Sequence, residues 1–581
     1  MSAEKLITDH IDIWTSAIQA KSASGRGSSK KRELYGIKKL RELILELAVR
    51  GKLVPQDPND EPASVLLERI AVEKAQLVKE GKIKKQKKLP SIDDDDYLFD
   101  IPSGWSWERL GNVGETNIGL TYSPKDAGET GIPVLRSANI QRGKIDLSDL
   151  VRVQKEVKDS VLVEIGDLLI CARNGSKALV GKTAQICELK EPMAFGAFMA
   201  IFRSCINDYI EVFLNSPVYR KNLEGVSTTT INQITQSNLR STICPIPPVE
   251  EQHRIVAKVD ELMALCDQLE QQTEASLDAH QVLVETLLAT LTNSQDATEL
   301  MANWARISEH FDTLFTTEQS IDQLKQTILQ LAVMGKLVPQ DPNDEPAAIL
   351  LERIAEEKAQ LVKEKKIKKQ KALLPIAEDE KPFELPKGWE WCRVNDISLF
   401  TTSGSRDWAR YYSESGALFV TMGNLSRGSY DLRMDNLRYV KPPIDGEGSR
   451  TKLEPHDLLI SITGDVGNLG LIPEGFGEAY INQHTCLLRF MPECRDKFFP
   501  ELMRSPFAKL QFDAPQRGIK NSFRLSDVGE MVIPLPPKEE RTRITQKVDN
   551  MMSLCDQLKQ RLRDSQQTQL QLTDAIVEQA L

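Results

Sequence analysis

Apolar residues recur at helical spacing in two long stretches of this chain. Ile255, Val259, Leu262, Cys266 and Leu269 are spaced 4, 3, 4 and 3 residues apart, and Ile544, Val548, Met551, Cys555 and Leu558 repeat that spacing. This is an a/d heptad seam, which gathers apolar side chains on one helix face. The first seam continues through Leu277, Val284, Leu287 and Leu291; the second passes Leu562 into a Gln-rich helix reaching Leu581. Pro247–Pro248 and Pro536–Pro537 stand where each helix opens, since proline is tolerated in a first turn. Shorter helices are predicted over 40–49 and 324–333, stopped by Gly51 and Gly335 in good C′ positions. After each comes a Pro-rich turn, then a second helix, VLLERIAVEKAQLVKE or AILLERIAEEKAQLVKE. Elsewhere, short β-rich runs punctuated by Gly, Asn, Ser and Thr predict compact α/β modules with long loops.

The patterns come in pairs. Residues 47–89 and 331–373 are identical at 37 of 43 positions, and 245–269 and 534–558 at 16 of 25. ITDHIDIWTS (7–16) resembles ISEHFDTLFT (307–316), while the first copy carries an extra stretch near SASGRGSSKKRELYG that reads as a flexible loop. Between the repeats lie two stretches, about 100–244 and 384–533, that share a skeleton but little else. Trp105 and Trp107 match Trp389 and Trp391 and read as core; IPVLRSAN matches ALFVTMGN, and Asp167–Ile170 matches Asp457–Ile460. The two termini together copy the middle of the chain. They are expected to meet in space and close a circle of module, strut, module and strut with pseudo-two-fold symmetry.

The expected fold class is therefore α+β, with two α/β modules separated by long antiparallel coiled-coil helices and placed at opposite ends of them. The segments are a helical N-terminal piece (1–99), a first module (100–245), a central helical region (246–383), a second module (384–534) and a C-terminal helix (535–581).

Composition sharpens this reading. No run of 18 apolar residues exists and the N-terminus carries charges through its apolar positions, so neither a membrane span nor a signal peptide is expected, and the cytoplasm is the expected compartment. The nine Cys form no C-x-x-C pair, which favours free, mostly buried thiols over a metal site. A net charge of −10 argues against non-specific nucleic-acid binding by the whole chain. Yet residues 105–245 hold 16 Lys+Arg against 15 Asp+Glu, and 386–535 hold 18 against 19, so the acidity lies in the struts. Basic tails at Lys82–Lys88 and Lys365–Lys371 suit helix C-termini, with phosphate contact as the other reading.

Sites for chemistry are not evident. There is no phosphate-binding G-x-x-x-x-G-K-[ST], no dinucleotide fingerprint, no Asn- or Asp-Pro-Pro-aromatic sequence of amino-methyltransferases and no H-E-x-x-H among the six scattered His. Asp457 and Asp465 flank a predicted strand as turn or cap residues. A binding and positioning protein, with no catalytic residue, cofactor or metal, is the expectation.

Two tandem modules built as Trp-x-x-Leu/Val, I-P-V-L-R, G-D-L-L-I and N-L-R-S-T-I-C-P-I-P-P-V-E-E-Q, joined by heptad helices, resemble the specificity subunit of type I restriction–modification systems. The resemblance spans nearly the whole chain, and P-[IL]-P-P-x-E-E-[QR] opening a coiled coil twice is its most specific part. Arg541 replaces the usual Gln, found at 252, a change expected to be conservative on a helix surface. The resemblance implies that each module is a target recognition domain reading half of a split, asymmetric site in double-stranded DNA. It further implies that the struts set the spacing and dock two methyltransferase subunits, that restriction subunits complete the complex, and that catalysis belongs to these partners. A coiled-coil scaffold without sequence-specific DNA binding is the alternative; it leaves two diverged β-rich modules unexplained.

Base reading calls for Arg, Asn, Gln, Ser and Thr on loops. Candidates in the first module are Arg136, Asn139, Gln141, Arg142, Arg173, Asn174, Lys177 and the TTTINQ stretch at 228–233, which includes Asn232. In the second they are Ser405, Arg406, Arg410, Asn424, Arg427, Arg517, Lys520, Asn521 and Ser522. Asn139/Asn424 and Arg142/Arg427 occupy matching places, which fits a shared structural job as well as a shared DNA job.

Overall fold

A computed structural model of the protein describes residues 3–21, 31–226, 233–369, 373–406, 408–442, 448–514 and 523–581. The chain folds into two compact units, Met1–Ser276 with Ser565–Leu581, and Leu277–Asp564. Two long helices, Val249–Asn293 and Lys538–Ala580, each begin in one unit and end in the other. The C-terminal residues thus belong to the unit that holds the N-terminus, as the pairing of the repeats predicts.

In the first unit, helix Tyr35–Val49 buries Leu40, Leu43, Ile44 and Leu47 in one core with Ile255, Val259, Leu262 and Cys266 of the first long helix. Ile576 and Val577, from the end of the second long helix, pack on the same core. Polar contacts fix both sides: Arg41 donates to Asp267 at 2.6 Å and Glu270 at 2.7 Å, and Tyr35 donates to Asp574 at 2.7 Å. The second unit repeats the scheme around helix Glu318–Val333, which shares a core with Val284, Leu288, Leu291, Ile544, Val548 and Cys555. There Arg563 pairs with Glu318 at 2.9 Å and Lys559 with Asp322 at 2.8 Å. Within each unit the heptad seam is therefore covered by a short helix of the repeat, so the partner of the seam is more than a second strut.

Each module carries the same pair of four-stranded sheets. In the first, strands run in the order 183–185, 168–171, 199–203, 115–118, all antiparallel. The second module places 469–471, 458–461, 485–490 and 398–403 in that order. The other sheet in each contains one parallel pair, 194–195 with 132–135, or 479–481 with 417–420. Strand Ser106–Arg109, at the module's start, pairs antiparallel with Ile243–Ile246, at its end; Glu390–Arg393 pairs likewise with Val532–Leu535. Each module therefore enters and leaves the helical frame at one place.

The near-identical repeat segments explain that attachment. Trp105 Nε1 donates to Glu251 Oε2 at 2.9 Å while Gln56 donates to Glu251 Oε1 at 2.6 Å; Trp389 and Gln340 hold Glu540 at 3.0 and 3.1 Å. Arg254 pairs with Asp60, and Arg543 with Asp344, each at 2.6 Å. One turn, one helix start and one module entry are thus tied together twice by the same residues. Burial pushes the Glu251 and Glu540 carboxyls above the usual range, against the pull of their Trp and Gln donors. Trp105 and Trp389 are buried, and the half-buried Trp107 and Trp391 meet Phe99 edge-on and Phe383 at a tilt, each with ring centroids 5.1 Å apart.

One expectation fails here. Arg541 is not on a helix surface: it is 0% exposed. Its guanidinium pairs with Asp496 at 3.2 Å, donates to the Glu493 carbonyl at 2.8 Å and lies 5.3 Å from the Phe499 ring centroid. Gln252, also buried, instead donates to the Pro247 carbonyl at 2.8 Å. A helix that docks its first turn into the module has no solvent face at this position. Of the nine Cys, seven are buried, while Cys187 and Cys205 are exposed.

Candidate nucleic-acid interface

The antiparallel strand pair at the heart of each module ends in loops that gather the exposed polar side chains. Asp167 starts this pair. Its carboxylate accepts from the Glu164 N–H at 2.8 Å and takes two bonds from Arg203, each 2.7 Å. Asp457 does the same with Glu454 and Arg489, at 2.7 Å and at 2.7 and 2.6 Å. Burial raises the Asp457 carboxyl, opposed by the Arg489 bonds. The turn-or-cap role expected for Asp457 is met by the Glu454 bond, while its pairing with Arg489 was not foreseen. Asp465 lies on a loop and pairs with Arg427 at 3.0 Å.

In the first module, strand 168–171 leads into the loop with Arg173, Asn174 and Lys177. Asn174 Nδ2 donates to Ser137 Oγ at 3.3 Å, which joins this loop to the 136–143 segment. Arg142 sits at the tip of a tight hairpin, Ile140–Gln141 with Lys144–Ile145, at φ 51° beside Gly143 at φ 73°. Two left-handed residues are what a two-residue turn of this kind demands, and the turn carries the exposed Arg142 side chain at its tip. Arg173 is exposed, and its guanidinium lies 5.3 Å from the centroid of the Phe198 ring. Exposed Lys177 follows on the same loop.

Several candidates face inward. Asn139 is 1% exposed: its Oδ1 accepts from the Arg136 N–H at 2.9 Å, and its Nδ2 donates to the carbonyls of Asp146 and Asp149 at 2.9 and 2.8 Å. Asn424 is the counterpart, accepting from the Thr421 N–H at 2.9 Å and donating to Arg433 O at 2.8 Å. Both amides hold loops, so the structural job is the one their geometry favours. Gln141 donates to the Ala138 carbonyl at 2.8 Å and Arg136 pairs with Asp149 at 3.2 Å, each at the loop surface.

In the second module, Ser405 forms a backbone bridge to Asn482, and Arg406 beside it is exposed. Arg427 donates to the Val466 carbonyl at 3.2 Å as well as pairing with Asp465, which joins two loops as Asn174 and Ser137 do in the first module. Arg410 is exposed, 5.3 Å from the Tyr411 ring. Asn232, Arg517, Lys520, Asn521 and Ser522 lie outside the described residues.

The sequence reading missed the residues that end the neighbouring turn. Phe198 precedes Met199, which pairs with Cys171; His484 precedes Thr485, which pairs with Ser461. The Ala172 N–H donates to Phe198 O at 3.0 Å, and the Ile462 N–H to His484 O at 3.0 Å. Phe198 and His484 thus occupy one backbone position in two modules. The available signal was the strand match on either side, with GAFM in one copy opposite NQHT in the other.

Comparison with known proteins completes the description. Residues 102–279 match the family model for the type I restriction modification DNA specificity domain. The chain is 43% identical to the type I restriction enzyme EcoAI specificity subunit of Escherichia coli, with 100% of both chains covered. It is 42% identical to the EcoEI specificity subunit of the same species, again over 100% of both. The fold is similar to that of a solved chain from work on complex assembly and conformational transition of the type I R-M system. That match has a TM-score of 0.50 at 18% identity and covers 83% of this chain and 98% of the other.

Proposed function

This chain belongs to the specificity subunits of type I restriction enzymes, and from that membership we propose how it divides its labour as the DNA sequence-recognition component of a restriction–modification complex. Residues 100–245 and 384–534 act as target recognition domains, each reading one half of a bipartite, asymmetric site in double-stranded DNA. The long helices fix the distance between the halves, with half-site centres about one helical turn, roughly 10 base pairs, apart. Two methyltransferase subunits dock on the repeated helical segments and restriction subunits join them; methyl transfer and cleavage are their work, in the cytoplasm.

One observation carries this reading. Two modules share a sheet order, a buried Asp clamped by an Arg and a two-stranded attachment, yet present different side chains from the loops above. A scaffold has no use for that difference. The physical division agrees with it: modules near zero net charge bring few excess cations to phosphates, and phosphate neutralisation dominates DNA affinity. Each should bind weakly alone and gain affinity when partners enclose the duplex. Among the described residues, no helix is long and apolar enough to cross a membrane.

The test is genetic. Deleting this chain from its host, with the partner subunits intact, should erase one split methylated sequence from the genome, and restoring the chain should return it. Persistence of that methylation without the chain contradicts the reading.

A further inference from the structure

The two modules carry different side chains at one place where their backbones are held alike. Phe198 and His484 stand immediately before paired strand residues, and their carbonyls accept equivalent backbone bonds from Ala172 and Ile462. The next residues along those loops are Arg173 and Thr463. On the far side, Ile234 donates to Ala172 O at 2.7 Å and Phe523 to Ile462 O at 2.8 Å, so each short segment is gripped from two directions. A side chain projecting from such a segment is positioned by the sheet, with little freedom in the backbone beneath it.

The side chains so held are of different chemistry. Phe198 is 61% exposed. A large aromatic left in water on a rigid strand end contributes little to the core, and it has Arg173 as a neighbour, the guanidinium 5.3 Å from the ring centroid. A ring beside a guanidinium restricts that planar fork and leaves its N–H donors facing outward. In the second module, His484 Nδ1 lies 2.8 Å from Thr463 Oγ1, and its Nε2 lies 2.9 Å from Gln483 Nε2. Asn482 Oδ1 accepts from the His484 N–H at 3.1 Å and keeps this turn closed. One site offers a guanidinium beside an aromatic ring; the other offers a hydrogen-bonded chain of Thr463, His484 and Gln483.

We propose that positions 173 and 198 in the first module, and 463 and 484 in the second, are the specificity-determining pairs that read a base edge in each half-site. The proposal rests on the recognition role given above and names the residues that execute it. Arg173 reads guanine through its O6 and N7 acceptors, with Phe198 aligning the guanidinium and excluding water from it. Fork-like donation to guanine is the commonest specific contact an arginine makes. Thr463 and His484 read a base of a different hydrogen-bonding pattern, so the two halves of the target are unlike at corresponding positions.

The experiment uses the full chain co-purified with its own methyltransferase partner, and selection from a library of randomised DNA duplexes. Arg173→Ala should reduce enrichment of guanine at one position of one half-site by about tenfold to a hundredfold, the range for one good base contact. The other half-site should not change. Phe198→Leu should weaken the same preference by a smaller factor. Thr463→Ala and His484→Ala should act on the other half-site alone. Arg173 and Phe198 are exposed, so their variants should unfold at the same temperature as the parent, which separates a reading role from a folding one. Uniform loss of binding at every sequence would make Arg173 a phosphate contact and overturn the proposal, as would an unchanged sequence preference. If the unaltered complex enriches no split sequence at all, the recognition role itself fails; if it does and the four variants match it, only these pairs fail.

Discussion

The two modules agree in their frames and disagree at their rims. Asp167–Arg203 and Asp457–Arg489 are the same clamp on the same strand pair, with bonds of 2.6–2.7 Å. Trp105 and Trp389 reach equivalent glutamates at 2.9 and 3.0 Å. A few residues beyond the clamp, arginine and phenylalanine in one copy stand where threonine and histidine stand in the other. Packing ties the frame residues to many neighbours, so a change in one must be answered by others. The rim residues are tied mainly to one another, Arg173 to Phe198 and Thr463 to His484, so each pair can change without the frame. That difference lets one scaffold present two readings.

The same contrast warns against assigning every repeated residue to a partner protein. Gln56, Asp60, Glu251 and Arg254 recur as Gln340, Asp344, Glu540 and Arg543 and are occupied in attaching modules to helices. Their repetition has an internal cause. Arg353 likewise pairs with Glu493 of the second module at 2.9 Å; the exposed Glu68 and Glu73, matched by Glu352 and Glu357 on the outward faces of helices Ala63–Lys79 and Ala347–Lys363, are the better place to seek shared docking.

The strongest way to break the matched frame is at a position where the two copies differ, Arg541 against Gln252. Arg541→Ala empties a fully buried position and leaves the Glu493 carbonyl and the partly exposed Asp496 without their donor, and should cost about 2–5 kcal/mol, as truncating a large buried side chain does. Gln252→Ala, at the matching place, should cost about 0.5–1.5 kcal/mol, one neutral hydrogen bond. Urea unfolding of both variants measures the gap; equal losses would mean that Arg541 is not held as described. Next in size, Glu251→Gln and Glu540→Gln each trade a charged acceptor for an amide facing a donor. Each should lose about 1.5–3 kcal/mol, and the two losses should be alike because the two sites are. Asn139→Ala removes three hydrogen bonds at about 0.5–1.5 kcal/mol each and should cost a similar amount, with base preference unaltered, as the amide faces its own loop. A shifted target sequence in that variant would return Asn139 to the reading surface.

A dependence on pH also distinguishes the modules. Burial holds the Glu211 carboxyl up at about 7, with Asp208 and Asp260 adding to the rise and the Gln185 N–H opposing it. Helix Pro506–Asp513 follows Ser505 as helix Pro217–Val226 follows Ser216, and counting back from these serines places Pro500 opposite Glu211. A carboxyl whose folded value lies above its unfolded value of about 4.3 stabilises the fold fully below that value and loses the contribution as pH climbs toward 7. Glu211→Gln should therefore narrow the stability difference between pH 5 and pH 8. An unchanged difference would show that the carboxyl is solvated.

Much of this was legible in the sequence because repetition is a strong signal. The 37 identities between residues 47–89 and 331–373, and the shared heptad spacing, place the helices, the modules and the meeting of the termini. The seam's cover was less legible: a heptad pattern announces an apolar face, and Leu40 or Leu324 can fill it as well as a second strut. Arg541 was misread because its chemistry suits a surface, whereas its address, one residue after Glu540, lies in the turn that docks on the module. At the candidate interface, residue type could nominate Asn139 and Asn424 but could not tell an amide aimed at DNA from one aimed at its own backbone. Phe198 was passed over because aromatic residues in β-rich runs are usually core, and only the exposed strand end shows otherwise.

The central claim is that each module reads its own half-site. Strands 106–109 and 243–246 pair at the attachment, so a foreign module grafted between them should leave the helical frame and the second module intact. Sequencing the methylated sites in cells carrying that exchange tests the claim most directly. The account predicts that one half of the methylated sequence changes and the other half is retained. A change in both halves, or in neither, with methylation still present, would contradict it.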